Sequence, residues 1–214
     1  MRRLALAVLA ALALAVPAAA AATAGPAAAL DRLLAAAKAG NANAQWAGLA
    51  AATRLHYGSA SAFVASPAGT QLAATGRGPH RPLVEEPFPN GGALVAVTTA
   101  RGAYAAAMHL ERTGWKLQLD PNVLLQPISP APGSVSRQVV QVAAQAMLPD
   151  PVDSGALYLD GRPLTVKGGA VNGGRTVTLF ANLAQGVPKG RHTLVAYARG
   201  GAHAGALAWT FTVR

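Results

Sequence analysis

The 214-residue chain contains no cysteine. That absence excludes a disulfide framework, a thiolate nucleophile, a thiolate metal site and a lipid-modified cysteine, so packing alone must hold the fold. Acid is scarce as well: 8 aspartates and glutamates stand against 18 lysines and arginines, a net charge of +10. So few carboxylates leave little material for a hydrolase built on paired acids. Aromatic residues make up 5% of the chain, too few to interleave with a basic stripe in the manner of a nucleic-acid surface. The basic residues stand singly from Arg32 to Arg214 with no run among them. No nucleic-acid partner is expected, and the charge reads as solvated surface with a weak attraction to anionic envelope polymers. A Gly-x-Ser-x-Gly elbow, a His-Glu-x-x-His pair, a phosphate-binding glycine loop and a dinucleotide fingerprint are all missing, and no cofactor is expected.

The longest apolar run stands first. In MRRLALAVLAALALAVPAAAAATAG, Arg2 and Arg3 precede an apolar stretch from Leu4 to Val16, and small residues follow. That order reads as a secretory signal over residues 1–24, cut among Ala18 to Ala24. The stretch is shorter than the roughly 20 apolar residues that cross a bilayer, and nothing later is long enough, so no membrane span is expected in the mature chain. The destination is therefore export, periplasmic or extracellular.

What remains is rich enough in hydrophobic residues, 52% of the whole, to build packed cores, although much of that fraction is alanine. The segment QPISPAPGS, from Gln126 to Ser134, has the composition of an interdomain linker and sets the boundaries: residues 25–125, a linker at 126–135, and residues 136–214. The first module reads as α+β. Leu30, Leu33, Leu34 and Ala37 recur at helical spacing, Gly40 ends that helix, and Asn41 or Asn43 can cap a second one carrying Trp46 and Leu49. Strands are expected near Ser61 to Ala65, Gln71 to Thr75 and Ala93 to Thr99, followed by a hairpin in AYAAAMHLERTGWKLQLD. A Thr113-Gly114 turn there places Leu110 opposite Leu117 and Glu111 opposite Lys116. Helices followed by an LERTGWKLQLD hairpin resemble the small NTF2-like proteins, which implies a curved sheet closing a cone-shaped pocket.

The second module alternates with period two. An Asp160-Gly161 turn and an Asn172-Gly173 turn separate short strands, and Leu207, Trp209, Phe211 and Val213 share one face of the last. The order MLPDPVDSGALYLDG, LDGRPL, LAQGVPKGRHTLVAYA and AWTFTV resembles bacterial immunoglobulin-like domains, which implies an all-β sandwich. The expected fold class is thus an α+β module, NTF2-like by resemblance, followed by an immunoglobulin-like sandwich.

Candidate site residues are few. His80, Glu85 and Glu86 share the loop RGPHRPLVEEPFPNGG and could hold a ligand or a divalent ion, or act as acid and base. Against that stands a stiff surface loop whose acids face Arg77 and Arg81. His203, in GGAHAG, resembles the copper-binding histidine of CopC-type copper-resistance proteins, although the aspartate that precedes it in that family is absent. His192 sits where these sandwiches place a corner residue that hydrogen-bonds backbone. Asp150 and Asp153 supply too few oxygens for calcium. The leading expectation is an exported, non-enzymatic binding or scaffold protein whose partner is a protein or an envelope polymer. The alternatives are an enzyme with a pocket near His80, Glu85 and Glu86, and a periplasmic copper carrier using His203.

Overall fold

The computed structural model describes residues 24–214, so the expected signal segment, residues 1–24, lies outside the described residues apart from Ala24. Five helices come first: α1 (Pro26–Lys38), α2 (Ala42–Ala47), α3 (Ala51–Tyr57), α4 (Ala60–Ala65) and α5 (Pro67–Gly76). The α1 periodicity is as the sequence indicates, with Leu30, Leu33, Leu34 and Ala37 buried. Asn41 caps α2 by accepting from the Ala44 N–H at 3.0 Å. The strands expected at Ser61 to Ala65 and Gln71 to Thr75 are helices. Ser59 and Ser66 cap α4 and α5 through their hydroxyls, and Pro67 stands at the first position of α5. Phe63 and Leu72 are the large apolar side chains these two helices bury. α5 crosses α1 closely: a Cβ on Gly76 would lie 2.3 Å from the Leu34 carbonyl oxygen.

Four strands follow as a meander, β1 (His80–Pro87), β2 (Gly92–Thr99), β3 (Gly102–Glu111) and β4 (Gly114–Gln118), paired in that order as a lead sheet. In the expected hairpin the corners are Arg112 and Thr113, because Gly114 takes φ +103° as the first residue of the return strand. Leu110 therefore faces Trp115 and Met108 faces Leu117, two residues from the expected register. An even shift leaves every side chain on its expected face.

Nine more strands form two further sheets. In chain order they are β5 (Leu124–Ser129), β6 (Val135–Ser136), β7 (Gln141–Met147), β8 (Ser154–Leu159), β9 (Arg162–Pro163), β10 (Lys167–Val171), β11 (Thr176–Asn182), β12 (Gly190–Gly200) and β13 (His203–Val213). An outer sheet runs β10-β11-β7-β5 and a middle sheet runs β6-β13-β12-β8-β9. The two enclose a core of Val142, Leu157, Leu179, Leu194, Trp209 and Phe211 among others. Leaving aside the two-residue strands β6 and β9 and counting from β5, the first, second, fifth and fourth strands (β5, β7, β11, β10) share one sheet and the third, sixth and seventh (β8, β12, β13) share the other, the order of an immunoglobulin-like sandwich.

Residues 126–135, expected as a linker, are part of that sandwich. Gln126–Ser129 finish β5, the edge strand where a proline is tolerated, and the register slips between Pro127 and Ser129. Val135–Ser136 then pair in parallel with the end of β13. The Trp209 indole N–H donates to the Pro130 carbonyl at 2.9 Å, tying the crossover to the core.

The expected fold class is corrected by how these layers stack. Among the described residues the chain is mostly β, 47% strand against 24% helix, with the helices first and antiparallel sheets after them. The lead sheet does not close a cone. One of its faces (Ala93, Val95, Val97, Met108) packs on the helices. Its other face (Val84, Leu94, Ala96, Ala107) packs on Tyr158, Val195 and Tyr197 of the middle sheet. Helices, lead sheet, middle sheet and outer sheet form four layers, and the NTF2-like expectation fails because both faces of the lead sheet are covered. Two-sided burial also explains the unbroken apolar runs GALVAV and LVAYA, which lie in the central strands β2 and β12.

Candidate functional site

The three residues singled out in the His80 loop do not converge. They lie on β1, not in a loop. The His80 Nε2 meets Asp31 of α1 at 3.0 Å. A Glu85 oxygen accepts the Ala27 N–H at 3.2 Å, at the opening turn of the same helix, where a carboxylate complements the helix dipole. Glu86, the next residue along the strand, is exposed, and its charge helps to raise the Tyr158 pKa, second to burial. Two of the three thus brace α1, which is a structural use of their chemistry.

His192 and His203 are each held by aspartates. His192 is buried between the Asp160 carboxylate and the Pro188 carbonyl, each 2.7 Å from a ring nitrogen. Asp160, at φ +51°, also accepts the Thr193 N–H, so the turn expected at Asp160-Gly161 is pinned to β12 at a sandwich corner. The His203 Nδ1 meets Asp120 at 2.5 Å, and its Nε2 lies 3.9 Å from Asp150. Asp153 accepts the Gly201 N–H, so both acids of LPDPVDSG wrap the β12–β13 turn. Among the described residues no group of three or more His, Asp or Glu side chains is placed to hold a metal ion.

Two adjoining cavities lie where the lead sheet meets the sandwich. One of about 260 Å3 is lined by Gly92, His109, Glu111, Gln118, Tyr197 and Arg199, with alanines filling the rest of its wall. A second, about 310 Å3, shares Gln118 and Ala204 with it and is walled by Tyr57, Leu119, Leu125 and Leu207. Tyr197 is fully buried, stacked on Phe88 with ring centroids 4.4 Å apart, and its hydroxyl has no hydrogen-bond partner. Burial pushes its pKa up to about 12; Arg199 pulls it down and Asp153 pushes it further up. None of these residues stood out in the sequence. The signal was there, because a tyrosine on the outward register of an unbroken apolar strand must be covered by something.

A second feature is electrostatic. Setting aside Arg2 and Arg3, sixteen lysines and arginines remain, and among the described residues every ion pair is made by a histidine. Strand pairing gathers four of these cations. Gly190 and Ser136 both lie opposite Val213, which brings Lys189, Arg191, Arg137 and Arg214, all exposed, to one end of the middle sheet. They are spread along the chain from Arg137 to Arg214, so no run in the sequence marked them.

No family model matches the chain, and no curated protein does. Among solved structures, the chain is similar to PcoC, a methionine-rich copper resistance protein from Escherichia coli, at 15% identity over 42% of this chain and 99% of that one, with a TM-score of 0.28. It is also similar to the titin M10–obscurin-like 1 immunoglobulin complex, at 19% identity over 43% and 93%, with a TM-score of 0.30. A third match is the endo-β-1,4-mannanase of Thermotoga petrophila, at 11% identity over 45% and 21%, with a TM-score of 0.33. Scores this low add nothing to the strand order, on which the sandwich assignment rests.

Proposed function

We propose that this is an exported, non-enzymatic binding protein that docks on an anionic polymer through the basic end of its sandwich. The observation carrying the reading is the cluster of Lys189, Arg191, Arg137 and Arg214, exposed and free of carboxylate partners among the described residues. Unneutralised charge on adjacent strand ends raises the local potential and attracts polyanions in a salt-dependent way. A binding role is also favoured over catalysis because His80 and Glu85 are spent on bracing α1 and His192 on pinning a corner. Export rests on the charged, apolar and small-residue order of residues 1–24, and intact-mass measurement of the secreted protein tests it: a mature species that retains Met1 rejects it.

Retention on immobilised dextran sulfate tests the docking. The protein is expected to bind at about 50 mM salt and elute by about 500 mM, where the Debye length is too short to sustain the attraction. Converting Lys189, Arg191 and Arg137 together to glutamate should weaken binding at least tenfold and leave the melting temperature unchanged. A control triple variant at the exposed Arg32, Arg77 and Arg112 carries the same charge change on the helices and lead sheet. Equal losses in both triples would reject the basic end as the docking surface.

A further inference from the structure

Beyond that surface, we propose that the cavity between the lead and middle sheets binds a small organic carboxylate with an apolar remainder. The Tyr197 hydroxyl is buried without a partner, and burial keeps it protonated, so it is a donor waiting for an acceptor. Leaving such a group unsatisfied has a cost, and the cost is recovered when an acceptor arrives. Arg199 stands beside it. Its Nη1 donates to the Asn90 carbonyl at 3.0 Å and its Nε to the Gly201 carbonyl at 3.2 Å, which fixes the guanidinium and leaves N–H donors uncommitted. No carboxylate of the chain pairs with it among the described residues.

The two donors meet at a glycine. A Cβ on Gly92 would lie 3.0 Å from the Tyr197 Oη and 3.4 Å from the Arg199 Nη1, so the missing side chain leaves a cradle that both groups face. A planar acceptor with two oxygens suits a guanidinium and a hydroxyl together. A phosphate fits worse, because Glu111 lines the same cavity, one oxygen held by the Ala51 N–H at 2.6 Å, and a second negative charge would be repelled. The alanine walls suit a hydrocarbon remainder. At about 260 Å3 the space takes a molecule at or below the small end of ordinary ligand sites.

Calorimetric titration of the mature chain with benzoate and hexanoate, against benzamide and hexanol at matched ionic strength, tests this. The carboxylates are expected to bind and to raise the melting temperature, and the neutral analogues are not. Tyr197→Phe should weaken carboxylate binding about tenfold while melting like the wild type, and Arg199→Lys, which keeps the charge but loses the fork, should weaken it at least as much. Gly92→Ala puts a methyl group between the donors and should abolish binding. The Lys189, Arg191 and Arg137 triple variant should bind carboxylates like the wild type, so failure of the polymer surface leaves this site standing. Absence of carboxylate binding at millimolar concentration, or undiminished affinity in Tyr197→Phe, overturns the proposal.

Discussion

The two faces of the middle sheet are packed by different rules. Toward the outer sheet it presents Leu157, Leu194, Trp209, Phe211 and Val213, large side chains that interlock with Val142, Val177 and Leu179. Toward the lead sheet it presents Tyr158, Val195 and Tyr197 among alanines 156, 204, 206 and 208, and the facing residues include Ala96, Ala105 and Ala107. Alanine buries little area, so contact across this seam stabilises less per residue than contact inside the sandwich. It also leaves gaps that larger side chains would fill, and both cavities described above lie along the seam. The sandwich core is built for stability, whereas the seam trades packing for space and polar groups.

The largest expected effect comes from breaking the tighter side. Trp209→Ala removes a buried indole and its hydrogen bond to Pro130, and should cost about 3–5 kcal/mol in denaturant melts. Thr210, on the opposite face, should cost roughly half a kcal/mol or less when changed to alanine. The same melts examine the boundaries drawn at 25–125, 126–135 and 136–214. Because Val84, Leu94, Tyr158 and Tyr197 share one core across the seam, one cooperative transition is expected, and proteolysis within 126–135 should not outpace global unfolding. Two transitions, with the helices and lead sheet surviving the loss of Trp209, would show the seam too weak to couple the layers.

The looser side is better broken by filling it than by emptying it. Ala96 is fully buried at the seam, with alanines for near neighbours, so Ala96→Leu should cost about 1–3 kcal/mol by forcing the sheets apart. A neutral or stabilising result would show the seam open enough to absorb a larger side chain.

This contrast also sets how much was legible in the sequence. The sandwich could be read where a strand shows one face to its core, as in β13: the alternation Leu207, Trp209, Phe211, Val213 points inward as its period indicates. The first helix was equally plain. The seam was not, because stacking a lead sheet on a sandwich turns β2 and β12 into unbroken apolar runs that carry no information about which residue faces where. The proline-rich stretch misled for a related reason, since an edge strand and a sheet crossover favour the same residues as a linker. For α4 and α5, the Ser59 and Ser66-Pro67 start signals were present and outweighed a short apparent alternation. Of the candidate site, only the covered tyrosine of β12 left a mark in the sequence. Gly92, His109, Tyr197 and Arg199 come from strands of two different sheets, and the basic end gathers cations from three strands.

Alkaline pH offers a gentler way to separate the two faces. Burial raises the pKa of Tyr104, Tyr158 and Tyr197 above the ordinary value of 10.0, the latter two to about 12. Tyr104 sits between the helices and lead sheet, and Tyr158 and Tyr197 at the seam; none belongs to the sandwich core. A raised folded-state pKa means that the native protein holds protons the unfolded chain has released. The stability contributed by the neutral phenols is therefore complete below pH 10 and is lost as pH rises through 12. Denaturation midpoints should fall over that window, and less steeply in the Tyr158→Phe, Tyr197→Phe double variant. An unchanged slope would remove these phenols as the cause.

The smallest effect is the most discriminating. Tyr197→Phe keeps the ring on Phe88 and deletes a hydroxyl that makes no hydrogen bond. Had the hydroxyl been part of the packing scheme, its loss would cost about 1 kcal/mol, the usual contribution of a hydrogen bond. Removing a buried, unsatisfied donor relieves a desolvation penalty instead, so the variant should match the wild type within about half a kcal/mol or exceed it. The corresponding experiment in the sandwich core, Trp209→Phe, breaks the bond to Pro130 and should cost stability, with the sign reversed. A stable Tyr197→Phe protein would mean that folding does not need the hydroxyl, and the reason for a polar atom at that point of the seam would have to be found in what the cavity holds. A loss of 1 kcal/mol or more would place Tyr197 among the structural residues and make the seam a second core.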